Sequence, residues 1–347
     1  MSPNKARTPG YKYVCRRSKS RAGYPDDQYL KIPIICATVR IVASDPFSDI
    51  LKLANAQSIV SGGFTAGGCW AIRFPAFDKL KFSAVVRGAC WLRVDGVDRP
   101  VRAETGDVFL LSGRRSFILT SDPHVPPVEA SDIFSPHVSE TVKLNSGTDF
   151  FQIGGFVRLD PETGEFLTEF LPPLIHVRAD SQQAGPLHWL LKQLVQEQES
   201  NLPGTHLVSS QLAQLIFVHL LRAQLKESGR MAAGWLRALG DRRLAPALRL
   251  MHNEPGRPWR LEDLAKSTAM SRTSFALHFK SAAGVGPLPY LTEWRMRLAQ
   301  RALREENVSV AALARSLGYS SESAFNHAFK RIIGVPPKRY RSARRPS

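Results

Sequence analysis

The C-terminal part of the chain contains an internal repeat, and this repeat constrains the fold more than any other feature of the sequence. When residues 259–341 are compared with themselves at an offset of fifty residues, serines, aromatic residues, glycines and prolines coincide. The coinciding pairs are Ser271 and Ser321, Phe275 and Phe325, Phe279 and Phe329, Lys280 and Lys330, Gly284 and Gly334, Val285 and Val335, Pro287 and Pro337, and Tyr290 and Tyr340. Because so many matches in a short span are improbable by chance, the sequence predicts two copies of one helical unit.

Each copy predicts a helix, a tight turn and a second helix. In the second copy, Ser309 and Ser321 are residues that accept a hydrogen bond from a free backbone N–H at a helix start. Gly318 can adopt the left-handed conformation that ends a helix, whereas Thr268 stands at this position in the first copy, where we expect another turn geometry or some strain. The expected apolar face of the second helix is Ala324, Phe325, Ala328, Phe329 and Ile332. Two helices joined in this way form a helix-turn-helix unit.

The segment 317–331, followed by Gly334-Val335-Pro336-Pro337 and Arg339-Tyr340-Arg341, resembles the C-terminal signature of AraC/XylS-family transcription regulators. Met270-Ser271-Arg272 and Trp294-Arg295-Met296 in the first copy fit the same pattern. The resemblance implies a seven-helix DNA-binding domain whose two recognition helices enter successive major grooves on one face of the duplex. A long helix, at about Pro289 to Arg304, is expected to join them.

Positive charge is distributed unevenly along the chain, which has a formal net charge of +17. Residues 241–347 contribute +12 and residues 1–24 contribute +7, whereas residues 25–240 contribute −2. The repeat region therefore has the basic balance of a domain that binds a polyanion. Charge alone does not distinguish DNA from RNA or a membrane surface. Together with the helix-turn-helix pattern, it favours double-stranded DNA over a plain helical bundle.

The four cysteines, Cys15, Cys36, Cys69 and Cys90, form no Cys-x-x-Cys pair and show no clustering with histidine at metal-ligand spacing. We expect them to be reduced thiols. No apolar run approaches the ~18–20 residues of a membrane span, and no apolar segment of a signal peptide follows the basic N-terminus. These features favour a soluble cytoplasmic protein without a membrane partner.

The N-terminal part predicts a basic arm followed by closely spaced strands. Residues 1–43 are rich in Lys, Arg, Ser, Pro and Gly, so we expect a disordered arm, with a role in holding DNA as the alternative. From Asp45 to about Asp122, short β-branched and aromatic runs alternate with Gly turns, which is typical of a small barrel or jelly roll. The segment from Phe82 to Leu111 resembles the cupin-type effector domain found N-terminal in this regulator family, and we assign residues 44–185 to it.

The cupin-like segment lacks the ligands of a metal-binding cupin. Such cupins place several His and a Glu on facing strands, because a divalent metal needs neutral imidazoles and a carboxylate that converge. Ser83 stands where the first motif would have a His, and Ser116 or Phe117 stands where the second would end in one. His124 and His137 lie in a Pro-rich loop. We therefore expect no metal, no cofactor and no catalytic residues.

A barrel without a metal can still hold one small molecule in its interior. The candidates for its walls, or for a contact with an anion, are Trp70, Arg73, Phe82, Trp91 and Arg93. Alternation along the strands does not establish which of these side chains point inward.

Two helices are expected between the domains, in residues 186–228, at Leu187 to Glu199 and His206 to about Lys226. The second helix has a broad apolar stripe, which favours either dimerisation or packing within the N-terminal domain. The glycines between Lys226 and Gly240 indicate a domain boundary, and we assign residues 241–341 to the DNA-binding domain.

The early, outward residues of each recognition helix are expected to contact base edges, and basic residues are expected to contact phosphates. Carried over from the resemblance, the base-contact residues are Arg272, Thr273, Ala276 and Leu277 in the first helix and Glu322, Ser323, Asn326 and His327 in the second. The spacing also allows Leu277 to belong to the core. Hydrogen-bonding groups are more numerous in the second set, which predicts that the second helix discriminates more between sequences. The expected phosphate contacts are Lys280, Lys330, Arg331, Arg339 and Arg341.

The sequence thus predicts an α+β protein with an N-terminal cupin-like β-barrel, linker helices, and a C-terminal all-α domain with two helix-turn-helix units. Its expected function is that of a sequence-specific transcription regulator controlled by a small-molecule effector. RNA polymerase and a second copy of the chain are the further partners that this interpretation allows. A cupin-type enzyme fused to a DNA-binding module is the alternative from another class, and a DNA-bending architectural protein is a third.

Overall fold

The computed structural model describes residues 45–113, 115–134, 141–200, 202–226, 232–305 and 308–342. The expected basic arm, Cys15, Cys36 and His137 lie outside the described residues. In the described residues, two β-sheets with flanking helices are followed by a C-terminal part that is entirely helical. The predicted α+β class is therefore confirmed.

The N-terminal strands form two sheets rather than a closed barrel. The strands are β1 (Gln57–Ala66), β2 (Ala71–Phe74), β3 (Leu80–Arg87), β4 (Ala89–Val94), β5 (Val101–Glu104), β6 (Val108–Leu111), β7 (Phe117–Thr120), β8 (Val128–Glu129), β9 (Val142–Leu144), β10 (Phe150–Arg158) and β11 (Leu174–Val177). One sheet has the order β11-β6-β3-β10-β1-β9 and the other the order β5-β4-β7-β2-β8. Both sheets keep free edges in the described part of the chain, so the predicted closure is wrong, although the architecture is cupin-like.

The six-stranded sheet is buried on both faces. Strand β3 shows this most clearly, because alternate residues of a strand point to opposite faces. Val85 packs into the core between the two sheets, together with Phe64 and Phe109. Phe82 and Ala84 instead join the core on the other face, where the helices lie. Neighbouring residues of one strand therefore contact two different cores.

Residues 46–53, which the sequence interpretation placed in the β region, form a helix, α1 (Pro46–Leu53). Asp45 caps it by accepting a hydrogen bond from the Ser48 backbone N–H at 3.0 Å, and Pro46 occupies the first turn. An Asp followed by Pro is a helix-start signal, so this helix could have been predicted. Phe47 and Ile50 bury its inner face.

Two short helices, α2 (Ala130–Ile133) and α3 (Glu165–Thr168), lie within the strand region. The two long helices expected after it are α4 (Ala184–Ser200) and α5 (Thr205–Lys226), and they pack against each other and against the six-stranded sheet. The Gln214 side chain accepts hydrogen bonds from the backbone and hydroxyl of Ser58 in β1, at 3.0 and 2.9 Å. Packing within the N-terminal part therefore accounts for the buried side of α5, which includes Ile216, Phe217 and Leu220.

The glycine-rich segment before the C-terminal part contains a buried helix, α6 (Trp235–Gly240), where the sequence indicated a domain boundary. Trp235 is buried and stacks on Phe166 of α3 with ring centroids 6.1 Å apart. The Gly234 backbone N–H donates to the Ala282 carbonyl at 2.9 Å. This segment is consequently a packed connection between the two parts.

The C-terminal part consists of seven helices in the described residues, as the resemblance implied. They are α7 (Ala245–Asn253), α8 (Leu261–Ser267), α9 (Arg272–Ala283), α10 (Pro287–Glu305), α11 (Val310–Ser316), α12 (Glu322–Ile333) and α13 (Pro337–Ser342). The predicted long helix is α10, and it contacts α9, α11, α12 and α13.

The sequence repeat appears in the structure as two equivalent aromatic clusters. Phe279 packs edge-on against Tyr290 at 5.5 Å and 73°, and Phe329 packs against Tyr340 at 5.6 Å and 74°. Ser271 and Ser321 cap α9 and α12 by accepting from backbone N–H groups at 3.2 and 3.1 Å. The apolar face of α12 is narrower than predicted, because Ala324 and Ile332 are exposed.

The turns of the two units have the same geometry but differ by one residue in length. In the second unit, Gly318 takes the left-handed conformation with φ of 80°. In the first unit, Ala269 takes it with φ of 54°, and Thr268 ends α8 with a negative φ. The expected peculiarity of the first turn is thus a one-residue shift that places an alanine where glycine is favoured.

Candidate DNA-binding interface and interior cavity

Helices α9 and α12 present equivalent faces. Each helix buries its two phenylalanines and exposes residues on the opposite side. Thr273 and Ser323 are exposed, as are Leu277 and His327 one turn later. Because residues three or four apart share one side of a helix, these positions form one continuous outer stripe on each helix.

In α9, the four expected base-contact residues lie on the outer side, with Ala276 half-buried. Leu277 is 66% exposed, so it does not belong to the core. Arg272 forms an ion pair with Glu262 of α8 at 2.7 Å, in which both side chains are exposed. This arginine is therefore directed towards the neighbouring helix α8.

In α12, Ser323 and His327 are exposed, while Glu322 and Asn326 are half-buried. The Oδ1 atom of Asn326 is buried and has no hydrogen-bond partner among the described residues. The structure therefore makes Ser323 and His327 the more accessible of the four predicted contacts.

The basic residues expected at phosphates do not share one environment. Lys280, Lys330, Arg331 and Arg339 are exposed at the ends of α9 and α12 and in α13. Arg341 is half-buried and donates a hydrogen bond to the Val308 carbonyl. Arg341 thus connects α13 to the segment before α11 by this hydrogen bond.

The two helix-turn-helix units differ in how they are attached to the N-terminal part. The hydrophobic cluster on the outer face of the six-stranded sheet continues through α1, α6 and α7 into the first unit, where it includes Phe275, Phe279 and Trp294. The second unit has its own cluster around Phe325 and Phe329. Among the described residues, the first unit therefore shares a hydrophobic core with the N-terminal part, whereas the second unit packs around a separate core.

Polar contacts connect the second unit to the N-terminal part. Arg304, near the end of α10, donates to Asp160 Oδ2 at 2.5 Å. The Tyr340 hydroxyl of α13 donates to the Glu162 carboxylate in the same turn. Burial acts to raise the pKa of Asp160, but hydrogen bonds from Thr163 and Arg304 outweigh it and lower the pKa below its ordinary value. We name Asp160, Glu162, Arg304 and Tyr340 the interdomain latch.

His252 of α7 is a second connection between the two parts. Its buried ring stacks on Trp294 with centroids 4.1 Å apart and hydrogen-bonds the Tyr290 hydroxyl at 2.9 Å. Its Nδ1 lies 3.4 Å from the Asp49 carboxylate of α1. Burial lowers the pKa of this histidine, although Asp49 acts in the opposite direction.

A cavity of about 420 Å³ lies between the two sheets. One side of the cavity is formed by β3 and β10. It is lined by Lys81 and Ser83 of β3, by Lys79 directly before this strand, and by Gln152 and Gly154 of β10. Its opposite wall is aromatic and apolar, with Phe74, Phe77, Phe117, Leu119 and Phe134. The volume lies in the range of small-molecule sites, about 300–1,000 Å³.

None of the five residues proposed from the sequence lines this cavity. Trp70 is buried in the inter-sheet core against Phe150, and Arg73 pairs with Glu129 at 3.3 Å. Phe82 belongs to the core on the opposite face of its strand. Trp91 and Arg93 line a separate cavity of about 230 Å³, together with Pro123 and His124. The strands were correctly expected, but the inward faces could not be assigned from alternation alone, because both faces of the large sheet are buried.

Within the described residues, no three His, Cys, Asp or Glu side chains gather in a group that could hold a metal ion. Cys69 and Cys90 are free thiols, and burial raises the pKa of Cys90 to about 12. None of the described helices combines the length and the apolar character needed to cross a membrane.

Comparison with known proteins agrees with this architecture. Residues 45–226 match the family described as Cupin, and residues 264–343 match the one described as Helix-turn-helix domain. Over 297 residues, the chain is 42% identical to an AraC-like transcription regulator of Streptomyces lividans, which covers 86% of this chain and 98% of the relative. It is 31% identical over 286 residues to the HTH-type transcriptional regulator AlkR of Acinetobacter baylyi, with 79% of this chain and 91% of the relative covered. The solved DNA-binding domain of AdpA in complex with a target DNA is 32% identical, covers 30% of this chain and 93% of that chain, and gives a TM-score of 0.28.

A cupin domain followed by two helix-turn-helix units defines a class of DNA-binding transcription regulators. On the match over nearly the full length of its relatives, this chain belongs to the AraC family of that class. These relatives are named as transcription regulators, and nothing in their descriptions supports the alternative of a cupin-type enzyme fused to a DNA-binding module.

Proposed function

We propose that the chain binds a DNA site with two half-sites, one contacted by α9 and the other by α12, and that a small molecule in the cavity between the sheets controls this binding. The observation that carries the first part is the equivalent exposure of the two helices. The proposed base contacts are Arg272, Thr273, Ala276, Leu277, Glu322, Ser323, Asn326 and His327, and the proposed phosphate contacts are Lys280, Lys330, Arg331, Arg339 and Arg341. Half-sites one helical turn apart, roughly 10.5 bp, would place both helices on one face of the duplex.

The link from the cavity to the DNA-binding units runs through β3. Lys81 and Ser83 of this strand line the cavity. Phe82 and Ala84, which alternate with them along the strand, belong to the cluster that continues into the first helix-turn-helix unit. A ligand that moves β3 would therefore displace packing residues of the shared core. Since packed interiors transmit such displacements, this strand supports coupling between the two sites.

Genome-wide DNA occupancy in cells tests the DNA-binding part of the proposal. We would compare the wild-type chain with Ser323→Ala/His327→Ala in α12 and Arg272→Ala/Leu277→Ala in α9. We expect discrete sites with a two-part motif, and each double variant should lose preference for a different half. Lost base contacts typically cost about 1–3 kcal/mol each.

Lys143→Ala, at an exposed position of the edge strand β9, serves as the matched control and should keep the wild-type sites. Diffuse occupancy without a motif, unaffected by either double variant, would refute the assignment of the recognition helices. It would favour a DNA-bending architectural protein instead.

A second copy of the chain is the proposed partner at the outer side of α4 and α5. Leu202, Leu207, Val208 and Leu215 are exposed large apolar residues at this side, and Leu207, Gln211 and Leu215 follow one another at four-residue spacing. Several exposed apolar residues on one side of a helix favour a protein interface. Leu207→Glu/Leu215→Glu should convert a dimer into monomers in sedimentation analysis, and a wild-type chain that is monomeric at all concentrations would contradict this.

RNA polymerase remains a proposed partner. Transcription in vitro from a promoter found by the occupancy experiment, with and without the purified chain, tests this. A change in transcript level that requires the chain would support it. DNA occupancy without any effect on transcription would contradict it.

A further inference from the structure

We propose that the cavity between the two sheets binds an organic acid, whose carboxylate pairs with Lys81 and whose aromatic or aliphatic body lies against the phenylalanines of the opposite wall. This inference names the chemical class of the effector and rests on the proposed function only for its regulatory consequence. The binding itself follows from the side chains that line the cavity.

The cation is the first feature of this cavity. Lys81 and Ser83 are two residues apart on β3 and therefore point to the same side, towards the second sheet. The Lys81 ammonium lies 4.2 Å from the ring centroid of Phe74, 4.4 Å from that of Phe77 and 5.1 Å from that of Phe117. Three ring faces can stabilise a cation in part, but they leave its charge without a counterion.

Among the described residues, the cavity contains no compensating acid. None of the described residues that line it is Asp or Glu, and Lys79 is a second cation in its wall. Burial in the cavity wall lowers the pKa of Lys81 to about 8, and no ion pair among the described residues opposes this shift. Lys81 is half-buried, and an ammonium that is partly withdrawn from water without a counterion is costly, so an anionic ligand would supply the missing charge.

Next to Lys81, the cavity offers a second hydrogen-bond donor. Gln152 is buried, and its Nε2 donates to the buried Ser83 hydroxyl oxygen at 2.5 Å. Because Ser83 Oγ accepts this bond, its own proton remains available, and it donates to no other group among the described residues. An ammonium and a hydroxyl on the same side of one strand fit the two oxygens of a carboxylate.

Glycines keep the space beside this polar pair open. A Cβ atom on Gly154 would lie 2.7 Å from the Gln152 amide nitrogen, which is closer than such contacts permit. A Cβ atom on Gly63 would lie 2.2 Å from the Gln152 carbonyl oxygen. Both glycines line the cavity. A Cβ atom on Gly154 would take up space beside the Ser83 hydroxyl, whereas one on Gly63 would point at the backbone of β10, so Gly63 permits the close approach of β1 and β10.

The ligand's body is defined by the opposite wall. Phe74 and Phe117 are stacked with centroids 4.6 Å apart and an interplanar angle of 7°, and Phe134 extends this wall with its centroid 5.8 Å from Phe74. Flat apolar surfaces of this kind favour an aromatic ring or a short alkyl chain. One carboxylate on such a body satisfies both sides of the cavity.

Binding of matched acids and amides to the full-length chain tests this inference. The probes are cinnamate, 4-phenylbutyrate and decanoate, each compared with its own primary amide by isothermal titration calorimetry. We expect at least one acid to bind at least tenfold more tightly than its amide, because only the acid carries the charge. Near pH 8, binding should take up protons, since the carboxylate raises the pKa of Lys81; calorimetry in two buffers with different ionisation enthalpies measures this.

Lys81→Met removes the charge and keeps an unbranched side chain that is one atom shorter, so the variant should fold while losing the preference for the acid. Lys143→Met, which replaces an exposed lysine of the same sheet, should keep that preference. Equal binding of each acid and its amide, or an acid preference that survives in Lys81→Met, would overturn the inference. Trapping of cinnamaldehyde on Lys81 by borohydride, with no binding of any acid, would also overturn it and assign a carbonyl ligand.

DNA occupancy of the same variants keeps the two proposals apart. Specific DNA sites with no acid bound would refute this inference and leave the proposed DNA-binding function standing. Acid binding without specific DNA sites would support this inference and refute the proposed DNA-binding function.

Discussion

Arg304 and Asp160 form a hydrogen-bonded ion pair of 2.5 Å between the last turn of α10 and the turn after β10, with each side chain only 15% exposed. This pair and the bond between Tyr340 and Glu162 are polar contacts from the second helix-turn-helix unit to the N-terminal part. The first unit is instead held by a shared hydrophobic core. The two helix-turn-helix units are therefore attached to the N-terminal part by different kinds of contact.

Arg304→Met should lower the free energy of unfolding by about 1.5–3 kcal/mol, the range for a hydrogen bond to a charged group. Asp160 keeps its hydrogen bonds from Thr163 and from the Glu162 backbone, so its turn should remain folded. Urea unfolding of the purified chain measures the change. Arg301→Met is the matched control, because Arg301 pairs with Glu305 on the exposed surface of the same helix.

We expect the control to lose less than about 1 kcal/mol, as is usual for exposed ion pairs. Equal losses in Arg304→Met and Arg301→Met would show that the latch does not contribute beyond an ordinary surface pair.

Ala269→Gly should stabilise the chain by about 1 kcal/mol, because alanine at φ of 54° has a steric cost that glycine does not have. Ala269 is exposed, so little packing is lost with its methyl group. Thermal and urea unfolding measure the gain.

Gly318→Ala is the reciprocal change in the other turn and should destabilise the chain. Its cost should exceed the gain at Ala269, because a Cβ atom on Gly318 would lie 2.2 Å from the Gly256 carbonyl oxygen. An unchanged or lower stability in Ala269→Gly would mean that the left-handed conformation at Ala269 carries no strain.

His252 should make the stability of the chain depend on pH. Its pKa in the folded state is lowered below the ordinary 6.5 by burial, against the opposing effect of Asp49 and Asp45. The unfolded chain therefore binds a proton more readily, and this contribution to stability is complete above about pH 6.5 and is lost as the pH falls below it. Urea unfolding between about pH 7.5 and about pH 5.5 should show a decline of at most about 1.4 kcal/mol per pH unit from this one group.

Two variants separate titration from packing at this site. His252→Gln should flatten the decline, because glutamine does not titrate. Tyr290→Phe removes the hydroxyl that hydrogen-bonds the imidazole but keeps the histidine, so it should lower stability at every pH and retain the decline. An undiminished pH dependence in His252→Gln would assign the effect to other groups.

The sequence was most informative where local chemistry repeats. The capping serines, the paired phenylalanines and the glycine exits each have a local structural cause, and all are found in the structure as predicted. The sheet faces were not predictable in the same way, because Lys81 and Ser83 alternate with Phe82 and Ala84, a pattern that normally indicates one face in solvent. Both faces are in fact buried, which is a consequence of packing between distant elements.

The interdomain contacts were beyond sequence reasoning for the same physical reason. Asp160 and Arg304 are 144 residues apart, and neither stands in a motif that indicates a partner. His252 and Asp49 are likewise brought together only by the packing of α1 on α7. Trp294-Arg295-Met296 was a correct part of the resemblance, and its role is now visible: Trp294 stacks on His252, and Arg295 donates to the Pro255 carbonyl at 2.6 Å.

Lys280→Ala and Lys330→Ala should weaken DNA binding to the same extent, since the two lysines hold equivalent exposed positions at the ends of α9 and α12. A lysine at a phosphate contributes to all sequences alike, so each variant should lose affinity for specific and random DNA together. Each should also reduce the slope of log K against log salt concentration by about 0.9, the value for one released counterion on duplex DNA.

Fluorescence anisotropy with labelled duplexes over a range of salt concentrations measures both the affinity and its salt dependence. Lys143→Ala on β9 is the control and should keep the wild-type slope. An unchanged slope in Lys330→Ala together with a reduced slope in Lys280→Ala would mean that only the first unit, the one that shares its core with the N-terminal part, contacts the DNA backbone through this position.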